Sequence, residues 1–122
     1  MALKDAVVEF LRFVIDGKID KAYKTYVSPK MRHHNAYYSG DAATLQKGME
    51  ENHVKFPDKI FEIKHVLEDG NFVAVHSHLR FQPTDPCLAV VHLFRFEGGR
   101  MVEFWDLAQS VPAESPNKNG MF

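Results

Sequence analysis

The sequence predicts an α+β domain in which three N-terminal helices pack on one face of a mainly antiparallel sheet. Apolar residues recur at helical spacing before Phe56-Pro57-Asp58, and polarity alternates as in β-strands after it. Helices followed by a run of strands are typical of α+β proteins. A chain of 122 residues is long enough for one hydrophobic core, so we expect a single domain over residues 1–122.

Two helices are predicted at the start of the chain. The first covers residues 3–15 and ends at Gly17, because glycine readily adopts the conformation that terminates a helix. The second begins at Ile19 and stops before Ser28-Pro29, because proline disfavours a helical conformation in the residue before it. One side of these segments is apolar, with Leu3, Val7, Phe10, Leu11 and Val14 in the first and Ile19, Ala22, Tyr23, Tyr26 and Val27 in the second.

The segment that follows, MRHHNAYYSG, has no clear period, and we expect it to cross the mouth of the fold. Asp41 is predicted to cap a third helix over residues 42–54. An aspartate at this position accepts hydrogen bonds from the free backbone N–H groups of the first helical turn. Leu45 and Met49 of this helix are expected to face the core.

Four strands are predicted in the second half of the chain, at residues 59–67, 71–82, 87–96 and 100–109. Their connections are turn-forming segments, Glu68-Asp69-Gly70, Pro83-Thr84-Asp85-Pro86 and Glu97-Gly98-Gly99. The last two strands therefore form a hairpin.

This hairpin can place a histidine and an aspartate on one apolar face. If residues 97–99 form a three-residue loop with a glycine bulge, His92 pairs with Phe104 and Val90 pairs with Asp106. The shared face then comprises Val90, His92, Phe94, Val102, Phe104 and Asp106. Apolar surroundings disfavour a charged carboxylate, and a nearby imidazole can share its proton, which is typical of a general acid/base. The alternative is that Asp106 only bonds the backbone near a strand end.

The other face of the hairpin is also apolar. It carries Ala89, Val91, Leu93, Met101, Trp105 and Leu107, interrupted by Arg95 and Glu103. The helices of a small domain cover only one face of a sheet, so we expect a second copy of the chain to cover this one. The sequence thus predicts a homodimer with Trp105 near the centre of the interface.

Composition gives no indication of a nucleic-acid or membrane partner. The 15 basic and 16 acidic residues nearly balance, so no basic footprint for nucleic acid or anionic lipid is visible. The N-terminus lacks the features of a signal peptide, and no segment has the roughly 18 apolar residues of a membrane span. We therefore expect a cytoplasmic protein.

A metal site is one alternative for His76 and His78, which lie on the same strand face. Such a pair can bind a metal when a third ligand converges on it. The spacing imitates the start of a cupin motif, but Gln82 occupies the position of the cupin glutamate. We favour solvated or interface histidines and predict no metal.

Five features of the chain occur together in one known family. They are the order of three helices and four strands, a histidine-asparagine pair after the second helix, the strand NFVAVHSHL, the hairpin VVHLFRFEGGRMVEFWDLAQ and the C-terminal NGMF. With them the chain resembles the SnoaL-like polyketide cyclases, members of the nuclear transport factor 2-like superfamily. The resemblance implies a cone-shaped α+β barrel whose curved sheet wraps a pocket lidded by helices, usually in a homodimer.

The resemblance also implies chemistry without cofactor or metal. Cyclases of this family close a polyketide ring by intramolecular aldol condensation, with an aspartate as acid/base assisted by a histidine and an asparagine. Asp106, His92 and Asn35 resemble these residues. The prediction is therefore that Asp106 and His92 are catalytic and that His34 and Asn35 bind the substrate.

Phe94 and Phe104 are predicted to contact the substrate, since they share the face of His92. The chain departs from the family pattern here. Many relatives have a histidine where this chain has Phe104, and Val90 offers no polar group to the pocket.

We expect an acid/base enzyme acting on a small apolar or aromatic carbonyl compound by aldol-type cyclase, isomerase or dehydratase chemistry. The alternative is a non-catalytic small-molecule-binding or structural module of the same fold, in which the polar residues only bond one another. Fold alone does not decide between them.

Overall fold

The helices are α1 (Leu3–Ile15), α2 (Ile19–Tyr26) and α3 (Ala42–Lys55), which confirms the predicted positions. The computed structural model describes residues 2–85 and 87–122, so Pro86 of the predicted turn lies outside the described residues. As predicted, the Asp41 side chain caps α3 by accepting a hydrogen bond of 2.9 Å from the backbone N–H of Thr44. None of the helices in these two ranges is long and apolar enough to cross a membrane.

Five strands form one sheet, β1 (Val27–His33), β2 (Ile60–Asp69), β3 (Phe72–Arg80), β4 (Leu88–Glu97) and β5 (Arg100–Ser110). Their spatial order is β1-β5-β4-β3-β2. Strand β1 runs parallel to β5, and every other neighbouring pair is antiparallel. The sheet is curved, and the helices pack on one side of it, which we call the inner face. The opposite side is the outer face.

Strand β1 was not predicted, because a helix end and an irregular segment were expected in its place. Pro29 lies within it, and the burial of its side chains alternates poorly, with Val27, Met31 and His33 buried. A proline lacks an N–H group and is tolerated on an edge strand, and β1 has β5 as its single neighbour. Local pattern therefore gave no strand signal here.

The β4–β5 hairpin has a different register from the predicted one. Gly98 and Gly99 form a two-residue turn with φ values of 57° and 79°, and a bulge follows it. Each change moves the register by one residue, so His92 pairs with Asp106 and not with Phe104. A shift of two residues restores the same faces, and His92, Phe104 and Asp106 remain together on the inner face.

The bulge exchanges two side chains between the faces. Met101, predicted on the outer face, is fully buried in the core and pairs with Phe96. Val102, predicted on the inner face, is only half-buried. The core between the helices and the inner face includes Val7, Phe10, Leu45, Val73, Val75, Phe94, Met101 and Phe104.

Candidate active site

A cavity of about 650 Å³ lies between the loop after β1, helix α3 and the inner face of the sheet. Asn35, His92 and Asp106 bring polar side chains to it, and Tyr37 and Tyr38 contribute from the loop. The apolar part of its lining includes Leu45, Met49, Leu79, Phe81, Leu88 and Val90. A mainly apolar cavity with a few convergent polar groups is the usual form of a small-molecule site.

One oxygen of Asp106 is held by Asn35, and the other faces His92. Its Oδ2 accepts a hydrogen bond of 2.8 Å from Nδ2 of Asn35. Its Oδ1 lies 3.5 Å from Nε2 of His92, which is longer than an ordinary hydrogen bond. The side chain is 22% exposed. One carboxylate oxygen can therefore accept a proton from a bound molecule while Asn35 fixes the orientation of the group.

His92 is enclosed by aromatic rings, with centroid distances of 5.9 Å to Phe61, 5.5 Å to Phe104 and 6.3 Å to Phe94. Burial lowers the pKa of His92, and the negative charge of Asp106 offsets this only in part. The ring is therefore neutral at physiological pH and carries one N–H group. If that proton is on Nε2, it points toward Asp106, and Nδ1 remains a buried acceptor without a partner in the described part of the chain.

Asn35 is fixed by the loop that it begins. Its Oδ1 accepts a hydrogen bond of 2.9 Å from the backbone N–H of Tyr37, and its own N–H donates to Nδ1 of His33 at 3.1 Å. The other ring nitrogen of His33 bonds to the backbone oxygen of Ser39. His33 thus closes the loop and orients the amide that holds Asp106. This role of His33 was not predicted, because it depends on the position of His33 at the end of β1, a strand that the local pattern does not indicate.

His34, predicted to bind the substrate, does not lie in the cavity. Its Nε2 bonds to Oε2 of Glu103 at 2.7 Å, and its ring stacks on Trp105 with centroids 5.0 Å apart. Both partners belong to the outer face. Because successive side chains of an extended segment point to opposite sides, His34 faces outward when His33 faces inward. The structure therefore places His34 outside the cavity, which differs from the expected position because β1 was not predicted.

Phe94 and Phe104, also predicted to contact the substrate, are buried in the core at 1% and 2% exposure. Their rings stack on each other at 4.7 Å, and neither lines the cavity. Both rings contact the ring of His92, so the structure places them on the inner face but in the core beside the cavity.

Two polar residues of the cavity were not predicted. Lys59 precedes β2 and Asn52 lies in the last turns of α3, and both line the cavity. Nζ of Lys59 donates a hydrogen bond of 2.6 Å to Oδ1 of Asn52. Nothing in their local sequence distinguishes them from surface residues, because the packing of α3 beside β2 creates their environment.

His76 and His78 lie away from the cavity, next to the C-terminal residue. The ring of Phe122 stacks on both, at 5.5 Å and 4.3 Å, and Nδ1 of His65 lies 3.0 Å from Nδ1 of His76. Within residues 2–85 and 87–122, no cluster of three potential ligands is arranged to hold a metal ion.

Many solved structures share this fold, and three of them illustrate its range. An uncharacterised cystatin-fold protein from Novosphingobium aromaticivorans is 18% identical and has a TM-score of 0.74, and the match covers 88% of this chain and 98% of that one. A SnoaL-like polyketide cyclase from Agrobacterium tumefaciens is 15% identical and has a TM-score of 0.72, and the match covers 89% of this chain and 92% of that one. A de novo designed protein with a curved β-sheet is 20% identical and has a TM-score of 0.74, and the match covers 89% of this chain and 88% of that one. At such identities the likeness shows the fold alone.

Sequence comparison gives the family. No curated protein sequence matches the chain at a significant level. The model of the SnoaL-like domain, however, matches residues 7–104, which include Asn35 and His92 and end just before Asp106. Because this match covers most of the 122 residues, the chain belongs to the SnoaL-like domain family.

Proposed function

We propose that the protein is a cofactor-independent acid/base enzyme that acts on a small apolar or aromatic carbonyl compound. The observation that carries the proposal is the geometry of Asp106. One of its oxygens is held by Asn35 at 2.8 Å, and the other lies beside a neutral His92 and lines a mainly apolar cavity. A fixed carboxylate in such surroundings suits the abstraction of a proton from carbon next to a carbonyl group.

In the proposed reaction Asp106 accepts the proton as the C–H bond breaks. The electron pair of that bond forms the enolate, whose negative charge rests mainly on the carbonyl oxygen. The proton of Asp106 then returns to another carbon in an isomerisation, to the new alkoxide in an aldol closure, or to a departing hydroxyl in a dehydration. Asn35 keeps the carboxylate oriented throughout, and neutral His92 stabilises its charged form by facing it with an N–H group.

The exchange of ketone α-protons for deuterium tests this step directly. Nuclear magnetic resonance would follow exchange in cyclic and aryl ketones such as tetralone and indanone. Asp106→Asn is expected to slow exchange by about a hundredfold or more, because the replacement amide is not a base. Asp69→Asn, a change at an exposed aspartate, is the control and should exchange at the wild-type rate.

Two results would reject the catalytic role. Exchange by Asp106→Asn at the wild-type rate would remove Asp106 from the reaction. Unfolding of this variant, seen by circular dichroism, would make Asp106 structural. Ketone binding to the wild type without any exchange would favour the alternative, a small-molecule-binding module in which Asp106, Asn35 and His92 form only a polar wall.

We also propose that a second copy of the chain covers the outer face. Val91 and Leu107 are 38% and 63% exposed there, beside Leu93 and Trp105. The C-terminal tail lies on part of this face, where Met121 lines a cleft with Val91 and Leu107, and Phe122 stacks on His76 and His78. The charges of this face are paired within one chain, Arg32 and Arg95 with Glu97 and Glu103. Two such faces can therefore meet without bringing unpaired like charges together.

A further inference from the structure

Lys59 is a second charged group in the cavity, and the acid/base reaction described above does not use it. It is partly buried, and its Nζ donates to Oδ1 of Asn52 at 2.6 Å. An ammonium group has three N–H donors, and one is used here. Within residues 2–85 and 87–122, no carboxylate forms an ion pair with it.

The burial of Lys59 is costly for its charged form. Desolvation lowers the pKa of Lys59, and no neighbouring carboxylate counteracts this. The neutral oxygen of Asn52 compensates only part of the lost hydration. A bound anion that reaches Nζ would supply a charge-assisted hydrogen bond and restore the missing partner.

Lys59 and Asp106 stand at separate parts of the same cavity. Lys59 precedes β2 and Asp106 lies on β5, with β3 and β4 between these strands. Three strand spacings correspond to roughly 14 Å across the sheet. By the strand register Asp106 is level with Val66 of β2, so it is also displaced along the strand direction from Lys59, which precedes Ile60. A ligand that reaches both charges is therefore elongated. Apolar side chains cover the surface between the two charges, among them Leu79, Leu88 and Val90.

We propose that Lys59 binds a carboxylate of the ligand, so that the cavity takes an apolar oxo acid with its anionic end at Lys59 and its carbonyl end near Asp106. The position of the carbonyl end rests on the proposed function. The binding of the carboxylate by Lys59 stands independently, because it follows from a partly buried ammonium group that bonds a neutral amide oxygen and forms no ion pair within residues 2–85 and 87–122.

Matched pairs of acids and amides test the proposal. Isothermal titration calorimetry would compare benzoylbutyrate, 6-oxo-6-phenylhexanoate and 8-oxo-8-phenyloctanoate with their primary amides, which have nearly the same shape but no charge. The lengthening chain separates the ketone from the carboxylate by increasing distances. The wild type is expected to bind at least one of these acids about tenfold more tightly than its amide. Lys59→Met should abolish this preference and leave the affinity for the amide unchanged, and Lys59→Arg should retain it.

Controls separate the roles of the residues. Lys47→Met removes an exposed lysine of α3 and should leave the preference intact. Lys59→Gln replaces Lys59→Met if circular dichroism shows that the methionine variant does not fold. Asp106→Asn should keep the preference for the acid while losing proton exchange.

The possible results decide between the two proposals. Equal affinity for acid and amide across the wild-type series, including no measurable binding of any acid, overturns the role of Lys59, as does a preference that survives Lys59→Met. A preference that depends on Lys59 in a protein without α-proton exchange upholds the role of Lys59 and rejects the proposed reaction.

Discussion

The protonation state of His92 determines what this residue can do beside Asp106. Its side chain is only 13% exposed, and the rings of Phe61, Phe94 and Phe104 surround it. The resulting lowered pKa keeps the imidazole neutral when the pocket is at physiological pH. A neutral ring can hold the carboxylate without supplying a full positive charge, which would weaken Asp106 as a base.

The lowered pKa of His92 predicts a pH-dependent contribution to stability. The unfolded chain binds a proton at His92 near the ordinary pKa of 6.5, and the folded state resists this proton. The stabilisation is therefore complete above this pH and decreases as the pH falls from 6.5 toward the lower pKa of the folded state.

Urea denaturation of the wild type and of His92→Gln measures this contribution at about pH 7.5 and about pH 5.5. The free energy of unfolding of the wild type, relative to the variant, should fall between the first pH and the second. The two proteins differ at residue 92 alone, so the comparison isolates the contribution of His92. A relative stability that stays constant or rises on acidification would contradict a lowered pKa.

At the scale of structural elements, the turn of the β4–β5 hairpin is important because it helps to set the register in which His92 pairs with Asp106. Gly99 has a φ of 79°, and an added Cβ would meet no atom within 4 Å. We therefore expect Gly99→Ala to lower the free energy of unfolding by about 1 kcal/mol, entirely from backbone strain. The control is Gly40→Ala, whose φ is not in the positive region and whose Cβ would lie 3.7 Å from the nearest atom, the backbone oxygen of His33. Equal stability of the two variants in urea would contradict this account.

The elements differ in how far the sequence could predict them. Helices α1 and α3 follow from periodicity and a capping aspartate, which are local features. Strand β1 forms by pairing with β5, more than 70 residues away in the chain, and local patterns do not record such a contact. Because β1 was not predicted, the inward position of His33 and the outward position of His34 were not predicted either.

The candidate site, like the fold, could be predicted where it depends on local pattern and not where it depends on long-range packing. Alternation in the hairpin placed His92 and Asp106 on one face, and the family resemblance added Asn35. The predicted register was wrong by one residue at the turn and by one more at the bulge. Beyond the bulge the total shift of two residues leaves His92 and Asp106 on the predicted face, whereas Met101, which precedes the bulge, lies on the opposite face from the predicted one. Lys59 could not be predicted, because its burial depends on the packing of α3 against the start of β2.

At the scale of the whole molecule, the fold does not specify a reaction. A de novo designed protein shares this curved sheet with a TM-score of 0.74, as does a SnoaL-like polyketide cyclase with one of 0.72. The backbone provides a cavity between helices and sheet, and the side chains placed in it determine what it binds and converts. Experiments on Asp106 and Lys59 are therefore needed to establish the function, because family membership alone does not specify it.

The outer face gives the prediction that concerns assembly. Removing apolar surface from water contributes about 25 cal/mol per Å², so an uncovered strip around Leu93, Val91 and Trp105 favours association. In a two-fold dimer each residue of this strip contacts the equivalent strip of its partner. Trp105 already packs between His34 and Phe72, at centroid distances of 5.0 Å and 6.2 Å, and presents a preformed anchor.

Sedimentation velocity at micromolar concentration should show the wild type as a dimer. Replacing Leu93 and Trp105 together by aspartate should give a monomer or an insoluble product, because each dimer would bury four unpaired carboxylates. Val54→Lys is the control, since this valine is 82% exposed on α3, away from the sheet, and its replacement should leave the dimer intact. A wild type that sediments as a monomer would reject the dimer and would mean that the C-terminal tail, through Met121 and Phe122, covers part of the outer face instead.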